Sequence, residues 1–310
     1  MQRNLMPTTE QLLNLVMFCR KINIPFSVYK FLNNASSGYS YSERMANKMK
    51  SHPDSPFITD SKTLQPDQTT RLVQLFTHKQ SKSDFKRCAE NLHRSAMYFS
   101  DYGYRGRYND PDHINVPSIS HKYYLSSTPL NEAFIAMDPM IAKFRKDYKT
   151  DKVALVTLTD GSANSISSVD GGDLMIKLNN RYKKCEYSWR GSQGKDLTHH
   201  LLENLKKKYD LQTIGFFLVK KYNDLRYTFN VPYAKEALAR KMFTRDKFIA
   251  DYGTGYDVYY YVKSDTKVAN KVYDDTATVK KSQLKRMFMS GMKKRLESRV
   301  LLQNFIKRVA

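Results

Sequence analysis

The residues that could do chemistry are few, and each sits beside recognisable punctuation. Asp160 ends the run VALVTLT within VALVTLTDGSAN, residues 153–164, and every one of the residues before it in that run is apolar or β-branched. A strand of this kind delivers a carboxylate to its own C-terminal end, which is where open α/β sheets bind ligands. Asp-Gly is also an ordinary turn pair, so position alone leaves a plain turn open. Ser126, Ser127 and Thr128 come just before Pro129, a favoured first residue of a helix. Taken by themselves, those hydroxyls read as helix caps.

Other patterns carry less. His199 and His200 stand together in DLTHHLLENL without an HExxH pattern or a cysteine pair at zinc spacing, so a surface or half-buried role is expected. Asp170 and Asp173, in SVDGGDL, lack the remaining ligands of an EF-hand. GSQGKD is too short between its glycines for a phosphate-binding Walker loop, and no GxSxG elbow occurs. The loop YFSDYGYRGRY sets Arg105 and Arg107 among tyrosines and glycines, a mixture that can stack bases or simply pack on the domain. With no nucleophile–base pair and no cofactor motif visible, a self-sufficient enzyme is not the expectation.

These residues need elements to hold them. Residues 8–21 read as a helix, with Thr8 or Thr9 as its cap and Leu12, Leu15, Val16 and Cys19 on one face. FSVYKF, at 26–31, reads as a strand. The stretch 33–121 is less regular, with helices expected near 68–77 and 82–99. A helix beginning in SSTPLNEAF leads to the strand that ends at Asp160. Residues 174–189 suggest a hairpin, 195–209 a helix, 211–219 (LQTIGFFLV) a buried strand, 234–243 a helix and 256–262 a final strand. Near-continuous apolarity in the strands means cover on both faces, hence a three-layer α/β sheet, mainly parallel.

The 310 residues are 41% hydrophobic, enough to bury a real core, and no apolar run approaches the ~20 residues of a membrane span. Cys19, Cys88 and Cys185 form neither a disulfide framework nor a metal pair, and no signal peptide opens the chain. A cytoplasmic protein is expected. The formal net charge of +22 asks for an acidic partner, an anionic cofactor or nucleic acid. Much of it lies late. Lys280, Lys281, Lys285, Arg286, Lys293, Lys294, Arg295, Arg299, Lys307 and Arg308 face one acid, Glu297, between 278 and 310. Leu284, Phe288, Leu296, Val300 and Phe305 fall among them at near-helical spacing, so 266–310 is expected to be a basic amphipathic tail.

A hydroxyl at a helix N-terminus, one helix, one strand and then Asp-Gly is an order that resembles von Willebrand factor A domains. SSTPLNEAF resembles the second metal motif of that family, TLTDG the third, and TIGFFLV the strand that follows. LLNLVMFCRKINIPFSVYKF resembles its first helix and second strand. In residue types and spacing the chain is similar to the T subunits of aerobic cobaltochelatase and to phage-encoded relatives, over roughly residues 1–262. The resemblance implies a Rossmann-like three-layer domain at 1–265 with an irregular insertion at about 33–124. It implies a metal-ion-dependent adhesion site, with Thr128 facing Mg²⁺, or Mn²⁺ in its place, and Asp160 acting directly or through water. It also implies a non-catalytic subunit that meets an AAA+ ATPase of the cobaltochelatase S type.

One departure accompanies the match. The family's first motif, Asp-x-Ser-x-Ser, ends the first, central strand ahead of the first helix, and no such pattern occurs here. Met1 falls where the residue trailing that motif would fall. The expectation is a chain without its first, central strand, the C-terminal part of a larger protein whose upstream part is itself a partner. Mg²⁺ binding is then expected to be weak, since the ion prefers six oxygens. The alternative expectation is a nucleic-acid-associated protein that uses Arg105, Arg107 and the basic tail. If phage-encoded, its site of action is the host cytoplasm.

Overall fold

The computed structural model describes residues 5–33, 64–65, 70–102, 128–159, 163, 166–168, 174–178, 181–185, 195–219, 221–225, 233–263 and 305–306. Helix α1 (Leu5–Lys21) buries Leu13, Val16 and Cys19 at helical spacing. Pro7 sits in its first turn, where no amide is needed. The helix stops at Asn23, which takes φ 60°. The Asn23 amide donates to the Arg20 carbonyl and the Ile24 amide to the Cys19 carbonyl, closing a Schellman-type end. Strand β1 (Ser27–Asn33) follows, then β2 (Leu64–Gln65), β3 (Thr70–Thr77) and helices α2 (Lys82–Tyr102) and α3 (Leu130–Tyr148). Next come β4 (Val153–Thr159), β5 (Ser167–Ser168), β6 (Leu174–Leu178), β7 (Arg181–Cys185) and α4 (Lys195–Tyr209). The order ends with β8 (Leu211–Val219), a 3₁₀ turn (Tyr222–Leu225), α5 (Tyr233–Asp246), β9 (Phe248–Asp251) and β10 (Val258–Lys263).

The main sheet has the order β4-β8-β10-β9. β4 runs parallel to β8 in the register Val153↔Leu211 to Thr159↔Phe217, and β8 runs parallel to β10. β9 pairs antiparallel to β10 at the edge. β1 and β3 form a separate antiparallel pair, β6 and β7 a hairpin, and β2 pairs with β5. Strand alternation divides the core into two layers. Phe217, Val219, Tyr259 and Tyr261 face α3, α4 and α5, whereas Ile214, Phe216, Val258 and Tyr260 face α1 and α2. Helices thus cover both faces of a mostly parallel sheet, a Rossmann-like α/β arrangement.

Two expectations are corrected, and one element is added. Residues 70–77 are a strand, not part of a helix: Leu72, Leu75 and Phe76 fit helical spacing, but pairing with β1 from Asn33↔Thr70 to Ser27↔Thr77 overrides it. Thr8 and Thr9 are inside α1 instead of capping it, because the helix already begins by Leu5. The edge strand β9 was not foreseen: FIAD is too short to show a period. Of the tail at 266–310, only 305 and 306 are among the described residues. Phe305 is buried there, edge-on to Phe18 with ring centroids 6.3 Å apart. Among the described residues no helix is long and apolar enough to cross a membrane.

Candidate functional site

Parallel pairing sets the C-terminal ends of β4, β8 and β10 on one edge of the sheet. Thr159 ends β4 there and is buried. Asp160 follows it directly and lies outside the described residues. The chain returns to the same edge at the start of α3, where Thr128, Asn131 and Glu132 are all buried. Pro129 supplies the helix N-cap and has no side-chain donor or acceptor to offer; the Leu130 amide closes the entry by donating to the Thr128 carbonyl at 2.8 Å. From the first turn of α4, the buried Thr198 hydroxyl donates to Asn131 Oδ1 at 2.6 Å, fixing the starts of the two helices to one another. Helix α1 adds Thr9, Glu10 and Gln11, also buried. Thr128, Asn131, Glu132, Thr159 and Thr198 are thus buried polar side chains at helix starts or a strand end, not in the body of the core.

Thr128 and Thr159 line one end of a cavity of about 760 Å³ that extends between α1 and α3. Its environment is apolar and shifts the groups that face it. Burial pushes the Cys19 thiol up to about 11, so it is no nucleophile at neutral pH. Burial, with the Arg71 guanidinium adding to it, pushes the Lys30 ammonium down to about 8. Away from the cavity, burial also raises Tyr256, which packs on Phe134 at 6.2 Å between centroids.

The cavity wall offers hard oxygen donors in the Thr128 and Thr159 hydroxyls, while Asn131 and Glu132 are buried in the first turn of α3 outside that wall. These types suit Mg²⁺ or Mn²⁺ far better than zinc or copper. Thr128 and Asp160 alone would leave most of an octahedral shell to water or to a partner. Among the described residues no group of three His, Cys, Asp or Glu side chains is clustered for a metal. His199 and His200 are both exposed on α4, as the sequence led one to expect. Arg105, Arg107, Asp170, Asp173 and the basic residues from Lys280 to Arg299 lie outside the described residues.

Sequence reasoning singled out Thr128, which is buried at the start of α3, but not the buried Asn131, Glu132, Thr198, Glu10 and Gln11. A signal was present: Asn131 and Glu132 fall between Leu130 and Phe134, inside the apolar stripe of α3, where a polar residue needs a reason. Comparison of the chain with protein-family models, with curated proteins and with solved structures gave no match.

Proposed function

We propose that the chain is a von Willebrand factor A-like interaction subunit which binds Mg²⁺, or Mn²⁺, at the carboxyl edge of its sheet. Thr128 and Asp160 are its ion ligands, and the ion's open positions take an acidic residue of a partner. An AAA+ ATPase of the cobaltochelatase S type is the partner proposed. The observation that supports this reading is the burial of Thr128 at the start of α3 in the cavity lined by Thr159, the residue directly before Asp160. The ion would supply a fixed positive charge to bridge two sets of oxygens; the chain's own part is to hold a hydroxyl and a carboxylate at the ends of a helix and a strand. Titration with Mn²⁺ followed by paramagnetic relaxation is the test. Asp160→Ala and Thr128→Ala should each abolish the bound fraction, and wild-type affinity in both variants would refute the site.

A second reading, nucleic-acid association, is favoured by the net charge of +22 and by the ten basic residues against one acid between 278 and 310. Binding of that kind falls steeply with salt, whereas an ion-bridged protein contact should survive moderate salt and be lost with a chelator.

A further inference from the structure

The middle of the molecule is more open than its flanks. In β8 and β10, Ile214, Phe216, Val258 and Val262 are 0% exposed, as strands between two helical layers must be. In β4 only Thr157 and Thr159 are buried, and in β1 residues 27–31 are half-buried. Among the described residues each of these strands pairs along one edge only, β4 with β8 and β1 with β3. Yet both feed the same two cores. Phe31, Val153 and Leu155 each pack against the α3-side core, and Val28, Val156 and Leu158 each against the α1-side core. The same two cores thus cover both sets of strands. Between them lies the cavity of about 760 Å³, bounded by residues of β1, by every residue of β4, and by α1 and α3.

We infer that this cavity is a slot for one β-strand, and that a strand from outside these 310 residues fills it, pairing with β1 on one side and β4 on the other. An extended backbone is the form of chain that satisfies hydrogen-bonding groups on both sides at once. The donor must be apolar on both faces, because α1 covers one and α3 the other. It also carries a carboxylate. Among the described residues lining the cavity, Lys30 and Lys152 are the charged ones and none is Asp or Glu. The 310 residues themselves are poor donors. Outside the described residues no four consecutive positions are apolar, whereas β4 begins VALV and β8 contains IGFFLV. Of the basic stretch at 278–310, Phe305 already forms part of the cavity wall, and it stands in a helical turn, not an extended strand. This inference does not rest on the ion-site reading.

Amide hydrogen exchange on the full 310-residue chain tests the slot. Alternate residues of β4 aim their amides at β8 and at the slot, so protection should alternate along the strand, with slot-facing amides exchanging at least ~100-fold faster. The probe is an acetylated, amidated peptide, Asp-Val-Ile-Val-Glu-Val-Leu-Val-Ser. It should protect the fast amides of both β1 and β4, and changing its Glu to Gln should weaken binding about tenfold, the scale of one charge-assisted hydrogen bond. Lys30→Met should erase that tenfold preference while leaving the chain folded. Uniform protection in the peptide-free monomer would mean that the chain fills its own slot. Protection that appears only with dimerisation would assign the slot to a second copy. No protection by the peptide at millimolar concentration would show that the cavity is not a strand site. Each of these three results overturns the inference.

Discussion

Gly215 pairs with Tyr259 in the β8–β10 ladder, and a Cβ there would overlap the Tyr259 ring. The ring lies across the glycine and packs against Tyr256 and Tyr261 at 5.0 and 5.1 Å between centroids, so it has little room to withdraw. Gly215→Ala should therefore cost about 1–3 kcal/mol, read from urea denaturation; an unchanged midpoint would mean that the ring moves freely. Lys30 makes a second prediction, with a sign. Its ammonium titrates at about 8 in the folded chain against 10.5 when unfolded. Below pH 8 both states are protonated and the folded state bears the whole cost of the buried charge. Above it the unfolded chain holds more protons, so stability should rise with pH. Cys19, pushed up from 9.0 to about 11, begins to act in the opposite sense once the unfolded thiol ionises. The clean window is pH 8 to 9. There the rise should be about 1 kcal/mol, and Lys30→Met should flatten it while raising stability at pH 7.

Elements in this fold are joined by a recurring device. α3, α4 and α5 end in Lys149, Asp210 and Lys247, each at positive φ; a strand follows at once after α4 and α5 and begins at Val153 after α3. The Lys149, Asp210 and Lys247 amides donate to Arg145, Lys206 and Phe243 carbonyls respectively, so the left-handed residue closes the helix and reverses the chain. None of the three is glycine, and an L residue is strained there. Lys149→Gly and Lys247→Gly should each stabilise by about 0.5–1 kcal/mol in thermal melts, the relief exceeding the entropy glycine adds to the unfolded chain. The same scale explains what could be read in advance. Helix 195–209 and strand 211–219 were legible to the residue because their patterns are long and unbroken. Strand 70–77 was not: its apolar positions satisfy either period, and the partner strand decides. A small lock holds β8 to the approach of β10. Asp257 Oδ2 accepts the Thr213 amide at 2.7 Å, and the Asp257 amide donates to Thr213 Oγ1 at 2.9 Å. Asp257→Ala should cost about 1–3 kcal/mol by leaving that amide without its carboxylate.

For the whole molecule, charge and core have to be separated before the basic tail can be tested. Phe305 is buried in the α1-side core beside Phe18, so removing residues 278–310 would also open that core. Phe305→Ala alone should cost on the order of 3 kcal/mol. A cleaner variant changes Lys280, Lys281, Lys285, Arg286, Lys293, Lys294, Arg295 and Arg299 to Gln and leaves Phe305 in place. Its retention on a polyanion column should fall sharply with an unchanged melting temperature. Retention equal to wild type would remove the tail from any account of anion binding.

Periodicity alone determined the α/β class, the hairpin at 174–178 and 181–185, and the alternation of helix and buried strand after 130. It could do so because two helical layers demand apolar side chains on both strand faces, and that demand is written locally. Thr128 was likewise visible, as a hydroxyl placed just before a proline that starts a helix. The tertiary structure decided what depends on distant partners. It made 70–77 a strand, added β9 at the edge, and gathered Asn131, Glu132 and Thr198 from two helices 67 residues apart into one buried corner. It also left β1 and β4 facing a common cavity. A sequence records which face of an element is apolar. Which other element meets that face, and whether a strand's second edge is paired, is settled only when the whole chain is packed.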